Sequence, residues 1–349
     1  MAVGWSLQAF LKAHAGDDDV RNAVGRTIQQ IAIASCVVRD LINRGINHEK
    51  PSATAGQANA DGDIQQQLDL TANRIFLAAI RSAPVACVAS EELRDPVLLD
   101  LSQPLAVAID PLDGSSNIET NVSIGTIFTI LPAPGPDGRS AEEAFLQPGD
   151  RQLAAGFFIY GPQLLLVLTL GAGTHVFAYS PREGGFVQIA DGVRIPALTS
   201  EFAVNASNYR HWGSAIRLYV DDCLSGEDGP RGRNFNMRWI ASLVADAYRI
   251  FVRGGVFLYP GDERRGYRNG RLRLVYEANP IAMLIEQAGG AATDGVERIL
   301  AITPQAVHQR VPLVFGSAGE VARIARYHLD PSLIAQRAPL FGHRGLFRV

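Results

Sequence analysis

The sequence predicts an α/β protein. Three features carry that expectation: short apolar runs that end in carboxylates, a long segment with helical spacing near the N-terminus, and alternating strand-like and helix-like segments through the C-terminal half. Hydrophobic residues make up 47% and charged residues 19% of the 349-residue chain, enough apolar material for a substantial core in one large domain or two packed lobes. The net charge of −3 offers no basic footprint for nucleic acid. An anionic substrate must therefore be met by local cations or by metal.

Val24, Ile28, Ile31, Ser35, Val38 and Ile42 fall at helical spacing and predict a long amphipathic helix over 20–46, with Gly45 as its stop signal. Residues 51–63 are poor in large apolar groups and read as a mobile or disordered segment. Ile64, Leu68, Ala72, Ile75 and Leu77 restore helical spacing over 64–81. Strands are expected near 85–89, 105–109, 122–131, 154–160, 164–170 and 174–179, with a loop at 132–138. The polar break at 196–200 is the expected lobe boundary, dividing 1–197 from 198–349. A strand follows over 201–205, another over 272–276, and a helix over 281–288 that Gly289 and Gly290 terminate.

Cys36, Cys87 and Cys223 are too few and too scattered for a disulfide framework or a zinc site, and read as thiols in a reducing compartment. The longest apolar run, 164–170, is too short to cross a bilayer. The N-terminal stretch around Trp5, Leu7, Phe10 and Leu11 is amphipathic without a signal-peptide pattern, so the expected location is cytoplasmic and no membrane partner is expected.

The most informative stretch is Asp110-Pro-Leu-Asp-Gly-Ser-Ser-Asn117. The apolar run 105–109 leads into it, and Pro111 is expected to stop that strand so that Asp110 and Asp113 point into one space. Gly114, Ser115 and Ser116 then offer backbone amides to an anion. Hard oxygen ligands beside phosphate-binding amides suit Mg²⁺-assisted phosphate chemistry. Alone, the motif reads equally as an Asp-Pro/Asp-Gly turn with a capping serine. However, Glu91 and Glu92 also follow an apolar run, Glu277 follows 272–276, and Asp63 and Asp69 lie upstream. Three strand-like segments ending in carboxylates are hard to attribute to chance, because sheet enzymes gather ligands at strand ends.

These motifs, with Val122-Ser-Ile-Gly-Thr-Ile-Phe128, Arg238-Trp-Ile-Ala-Ser-Leu-Val-Ala-Asp246, Gly254-Gly-Val-Phe-Leu-Tyr-Pro260 and Glu286-Gln-Ala-Gly-Gly290, resemble class I fructose-1,6-bisphosphatases from about Asp63 to the C-terminal helix. The runs 205–212 and 234–237 are similar to the form found in Calvin-cycle proteobacteria. The resemblance implies a five-layer α/β/α/β/α sandwich, a homotetramer, and Mg²⁺-dependent (or Mn²⁺-dependent) hydrolysis of the 1-phosphate of fructose 1,6-bisphosphate, in gluconeogenesis or the Calvin cycle. Sedoheptulose-1,7-bisphosphatase activity, alone or alongside, is the alternative. A catalytically silent protein of the same fold is argued against by the full carboxylate set, and an inositol monophosphatase by the basic residues for a distal phosphate.

By resemblance, Glu91, Asp110, Asp113 and Glu277 are metal ligands with the Leu112 carbonyl, and Asp63 joins them when the 51–63 segment closes. Glu92 and Asp69 take the proton from the attacking water. Asp113, Gly114, Ser115 and Ser116 hold the reacting phosphate, while Asn205, Tyr259, Arg271 and Arg273 bind the sugar and the distal phosphate. Either Asn208 or Tyr209 completes that set, and Arg238 reaches in from a neighbouring subunit. Arg271 stands where most members carry lysine and Trp239 where many carry tyrosine, which leaves substrate chain length open. His211, His308 and His328 have no nucleophile at a recognisable spacing and read as structural.

Members inhibited by AMP carry a Thr-Gly-Glu-Leu-Thr stretch at a helix N-terminus and a Lys-Tyr pair further on. Here the first region begins Asp17-Asp-Asp19, and the second offers Gln103-Pro104. Three aspartates repel a phosphate dianion. AMP titrated into a steady-state assay at fixed Mg²⁺ should therefore inhibit little; strong inhibition at micromolar AMP would overturn this reading.

Overall fold

A computed structural model describes residues 4–43, 67–118, 120–134 and 140–330. The expected 51–63 segment, with Asp63, lies outside the described residues, as does most of the 132–138 loop. Three helices lead the chain: α1 (Leu7–Ala15), α2 (Asp19–Asn43) and α3 (Gln67–Arg81). Asp18 Oδ1 accepts the Arg21 N–H at 2.8 Å, so α2 begins on its own acidic cap. An eight-stranded sheet follows, made of β1 (Val85–Ser90), β2 (Val97–Leu98), β3 (Leu105–Asp113), β4 (Ile124–Pro132), β5 (Ala154–Tyr160), β6 (Leu164–Thr169), β7 (Thr174–Ser180) and β8 (Gly185–Ala190). Its spatial order is β2-β1-β3-β4-β5-β6-β7-β8, with β1 and β3 parallel and the other pairs antiparallel.

The second half supplies β9 (Glu201–Val204), α4 (Ser214–Leu224), β10 (Asn236–Met237), α5 (Leu243–Arg253), β11 (Val256–Tyr259), β12 (Leu272–Arg273), α6 (Asn279–Gln287), β13 (Ala291–Thr293), β14 (Arg310–Val311), β15 (Leu313–Gly316) and α7 (Ala318–Leu329). Five of these strands form a second sheet in the order β10-β9-β11-β15-β13, and β12 pairs with β14 alone.

Side-chain alternation along the strands sorts the layers. On the large sheet, Val107, Ile109, Phe128 and Phe158 pack on Ile28 and Ile31 of α2 and Phe76 of α3. The opposite face, with Ile127, Phe157 and Val167, packs on α5 and α6. Those helices are covered from the other side by Ala203, Phe257 and Phe315 of the second sheet. The alternate residues Phe202, Val256 and Val314 face α4 and α7. The result is the five-layer α/β/α/β/α sandwich that the resemblance implies.

Two local expectations change. Pro111 does not end β3: lacking an N–H, it only breaks the ladder, and the register to β4 slips between Asp110 and Asp113. Thr126 Oγ1 donates to the Pro111 carbonyl at 2.8 Å and secures the slip. The expected strand over 272–276 stops at Arg273, and Leu274–Ala278 forms a π-helical turn into α6. Polar alternation ceases there, because Leu274, Val275 and Tyr276 are all buried. The β8 strand carried too little apolar alternation to be expected.

Gly125 marks where α5 meets the large sheet. A Cβ there would lie 2.3 Å from the Phe158 carbonyl oxygen and 2.6 Å from Val244 Cγ2. Gly125→Ala should cost about 1–3 kcal/mol by overpacking, read as a lower urea midpoint with an unchanged m-value. A neutral result would contradict this close approach.

Candidate active site

Asp110 and Asp113 lie on either side of the β3 register slip, which turns both carboxylates to one side. Asp110 Oδ1 accepts the Leu112 N–H at 3.0 Å. Asp113 Oδ2 accepts the Val244 N–H at 3.2 Å, with the Leu243 N–H adding to it, so this carboxylate serves the first amides of α5. Glu277 reaches the same space from the π-helical turn, whose geometry is closed by the Arg273 N–H donating to Glu277 Oε2. One oxygen from each of Asp110, Asp113 and Glu277 lies within 4.8 Å of the others.

Glu91 follows β1, the parallel neighbour of β3. The Arg273 guanidinium stands 3.7 Å from Glu91 Oε1 and is itself buried. Behind them Ser90 Oγ donates to Asn73 Oδ1 at 2.8 Å, fixing β1 to the α3 face that carries buried Asp69. The charges of Asp69 and Glu92 both act on Glu91. Six of the expected acids are thus brought together; Asp63 lies outside the described residues.

Burial raises the carboxyls of Glu91, Asp110, Asp113 and Glu277, and neighbouring charge reinforces it. Both Glu91 and Asp110 are pushed well above the carboxylate range by burial first, then Glu91 by the charges of Glu277, Glu92, Asp113 and Asp69, and Asp110 by those of Glu91, Asp113, Glu277 and Glu92. Asp113 rises only to about 6, because the α5 amides stabilise its anion. Glu277 rises to about 8, by burial and then by Asp113, against the pull of the Arg273 N–H. An all-oxygen donor set that cannot stay ionised by itself fits a hard divalent cation.

Gly114 adopts φ +76 and opens the 3₁₀ turn Ser115–Asn117 beside the cage. Asn117 Nδ2 donates to the Ala241 carbonyl at 2.7 Å, binding this turn to the segment that starts α5. Ala241 holds a left-handed φ of +66 to make that contact.

Farther along the second sheet is a cavity of about 140 Å³ lined by Asn205, Asn208, Tyr259 and Arg271, among others. Asn208, not Tyr209, lines this cavity, and the Tyr209 hydroxyl donates to Asp221. Arg273 does not line the cavity, being buried against Glu91 and Glu277 instead. Arg238 is half exposed, 3.9 Å from Glu201, and does not line its own chain's cavity. Trp239 stacks on Phe257 at 5.6 Å and leans on Tyr259 at 6.1 Å. His308 packs against Tyr276 and bonds the Arg94 carbonyl, a structural placement. Sequence reasoning missed Arg264 and Tyr267, which line the cavity. The arginine-rich run 262–271 was their only signal.

An acidic cluster able to hold a divalent cation, next to the Gly114–Asn117 turn, and a cavity lined by two arginines fit the class of metal-assisted phosphate-ester hydrolases. Two family profiles match the chain: Fructose-1-6-bisphosphatase, N-terminal domain, over residues 14–191, and Fructose-1-6-bisphosphatase, C-terminal domain, over 195–329. A fructose-1,6-bisphosphatase class 1 of Rhizobium meliloti (strain 1021) is 61% identical, across 99% of each chain. One from Rhodopseudomonas palustris (strain BisB18) is 50% identical over the whole of both. Among solved structures, the holo form of Leishmania major fructose-1,6-bisphosphatase superimposes with a TM-score of 0.84 at 31% identity, covering 94% of this chain and 99% of that one. This chain belongs to the fructose-1,6-bisphosphatase family.

In metal-free protein the cage acids keep protons that the unfolded chain releases around pH 4. Folding stability then falls as pH rises through about 6 and 8, the positions of Asp113 and Glu277. A bound divalent cation replaces those protons. Thermal unfolding with saturating Mg²⁺ and with excess chelator should therefore show a gap that widens from about pH 5 to about pH 8. A gap that is constant or narrows would contradict the cage.

Proposed function

We propose that this chain hydrolyses the 1-phosphate of D-fructose 1,6-bisphosphate, releasing fructose 6-phosphate and phosphate, with Mg²⁺ held by Glu91, Asp110, Asp113, Glu277 and the Leu112 carbonyl. The convergence of Asp110, Asp113 and Glu277 within 4.8 Å, beside the Gly114–Ser116 turn, carries the reading. Mn²⁺ fits the same oxygen ligands. When bound, the cation supplies charge neutralisation and a water of lowered pKa.

The chain's own residues supply the rest. Gly114, Ser115 and Ser116 orient the reacting phosphate through amides and hydroxyls, and buried Arg273 adds positive charge on that side. Glu92 and Asp69 accept the proton from the attacking water. Asn205, Asn208, Tyr259 and Arg271 hold the distal phosphate in the neighbouring cavity. Arg271 forks onto phosphate bidentately, so the lysine-to-arginine departure preserves the contact. Trp239 sits behind Tyr259 and acts through its position. Asp63 joins the cage as a further ligand.

The large sheet is built from residues 85–190 and the second from 201–316, in keeping with lobes of 1–197 and 198–349. No helix among the described residues is long and apolar enough to cross a membrane. Arg238, exposed and absent from the lining of its own cavity, serves the cavity of a neighbour in a homotetramer.

A hybrid experiment tests chemistry and assembly together. Asp113→Ala should lose more than 99% of turnover, and Arg238→Ala should raise KM at least tenfold. Co-refolded mixtures should recover part of the wild-type activity at low substrate through hybrid sites. Full activity of Asp113→Ala removes the catalytic assignment; no recovery after verified subunit exchange removes the shared site.

A further inference from the structure

One wall of the distal cavity comes from the loop between β11 and β12, and it holds a second arginine. Arg264 lines the cavity together with Arg271. Its Nε lies 3.0 and 3.1 Å from the two carboxylate oxygens of Asp262, and its Nη2 donates to Asp262 and, at 3.1 Å, to Asn208 Oδ1. Nη1 has no hydrogen-bond partner among the described residues. Asp262 is buried, its N–H donates to the Tyr267 carbonyl at 3.1 Å, and its backbone bridges to Trp212. The guanidinium is thereby aimed by an acid that is itself held on both sides.

Tyr267 brings the two arginines together. The Arg264 and Arg271 guanidinium carbons lie 4.3 and 5.0 Å from the centre of its ring. The loop is fixed by close backbone approaches: a Cβ at Gly270, which has φ +74, would fall 2.3 Å from the Val311 carbonyl oxygen, and one at Gly261 would fall 2.2 Å from that of Arg268. The cavity lining carries Arg264 and Arg271 against a single carboxylate, Asp262. An anion completes the charge balance, and a phosphate monoester suits two forked donors flanked by the Asn205 and Asn208 amides.

We propose that Arg264, positioned by Asp262 and Tyr267, is a further ligand of the distal phosphate and sets the preference for sugar bisphosphates over sugar monophosphates. The inference rests on the sugar-bisphosphatase reading above. It adds a cation on the chain's own side of the cavity, independent of any arginine from a neighbour.

The test compares wild type, Arg264→Gln, Arg264→Lys and Tyr267→Leu. For each, kcat/KM is measured on fructose 1,6-bisphosphate and on fructose 1-phosphate, and fructose 6-phosphate binding is measured by calorimetry. Arg264→Gln should lower the bisphosphate-to-monophosphate ratio of kcat/KM at least tenfold, mainly through KM, and weaken fructose 6-phosphate binding by a similar factor. Arg264→Lys should recover part of both. If Arg264→Gln does not fold, Tyr267→Leu carries the same comparison, with a fall of at least threefold in the ratio. A ratio within twofold of wild type, or a proportional loss on both substrates, overturns the inference. Should wild type turn over neither substrate, the underlying reading fails, while an Arg264-dependent loss of fructose 6-phosphate binding still supports the phosphate contact and an unchanged affinity still refutes it.

Discussion

The carboxylate of Asp113 belongs to two structures at once. It accepts the first amides of α5, and one of its oxygens lies within 4.8 Å of oxygens of Asp110 and Glu277. A helix N-terminus carries unsatisfied N–H groups and a positive end, so it both fixes the carboxylate and favours its ionised form. The same amides oppose the burial that raises the Asp113 carboxyl. Because α5 belongs to the middle layer, gripped by both sheets, the same hydrogen bonds join the packing of the sandwich to the position of a ligand.

The segment before α5 extends this linkage. From Arg238 to Ser242 the chain passes from an exposed arginine, through the Trp239 stack on Phe257, to the left-handed Ala241 that receives Asn117. The aromatic support under Tyr259 and the start of α5 are therefore one continuous piece of backbone, hydrogen-bonded to the Gly114–Asn117 turn. Trp239 backs Tyr259 directly, whereas Glu91, Asp110 and Glu277 take their positions from β1, β3 and the turn before α6.

Most of this architecture was legible in the chain. In the large sheet β1, β5 and β6 follow the apolar runs almost residue for residue, because strands buried on both faces read as continuous hydrophobic segments. The family motifs named the acids of the cage. What remained hidden depends on distant neighbours. The continuation of β3 past Pro111 needs Thr126 from the next strand, and the π-helical turn at Glu277 is dictated by burial on all sides rather than by local alternation. The choice of Asn208 over Tyr209 turns on Asp221 in α4, which takes the Tyr209 hydroxyl. Arg264 was invisible for a similar reason: in sequence it is one of several arginines, and only the burial of Asp262 singles it out.

The path of the strands also bears on the order in which the molecule assembles. From β5 to β8 each strand pairs with its sequence neighbour, so that meander closes through short loops at little entropic cost. The cage closes differently. The Val244-to-Asp113 bond spans 131 residues, and Glu277 arrives later still in the chain. During synthesis the ribosome releases the meander well before the C-terminal strands exist, so metal-binding ability arrives with nearly the last part of the protein. Partly made or truncated chains then have no high-affinity hold on divalent cations, and loading with metal reports that the two sheets have docked.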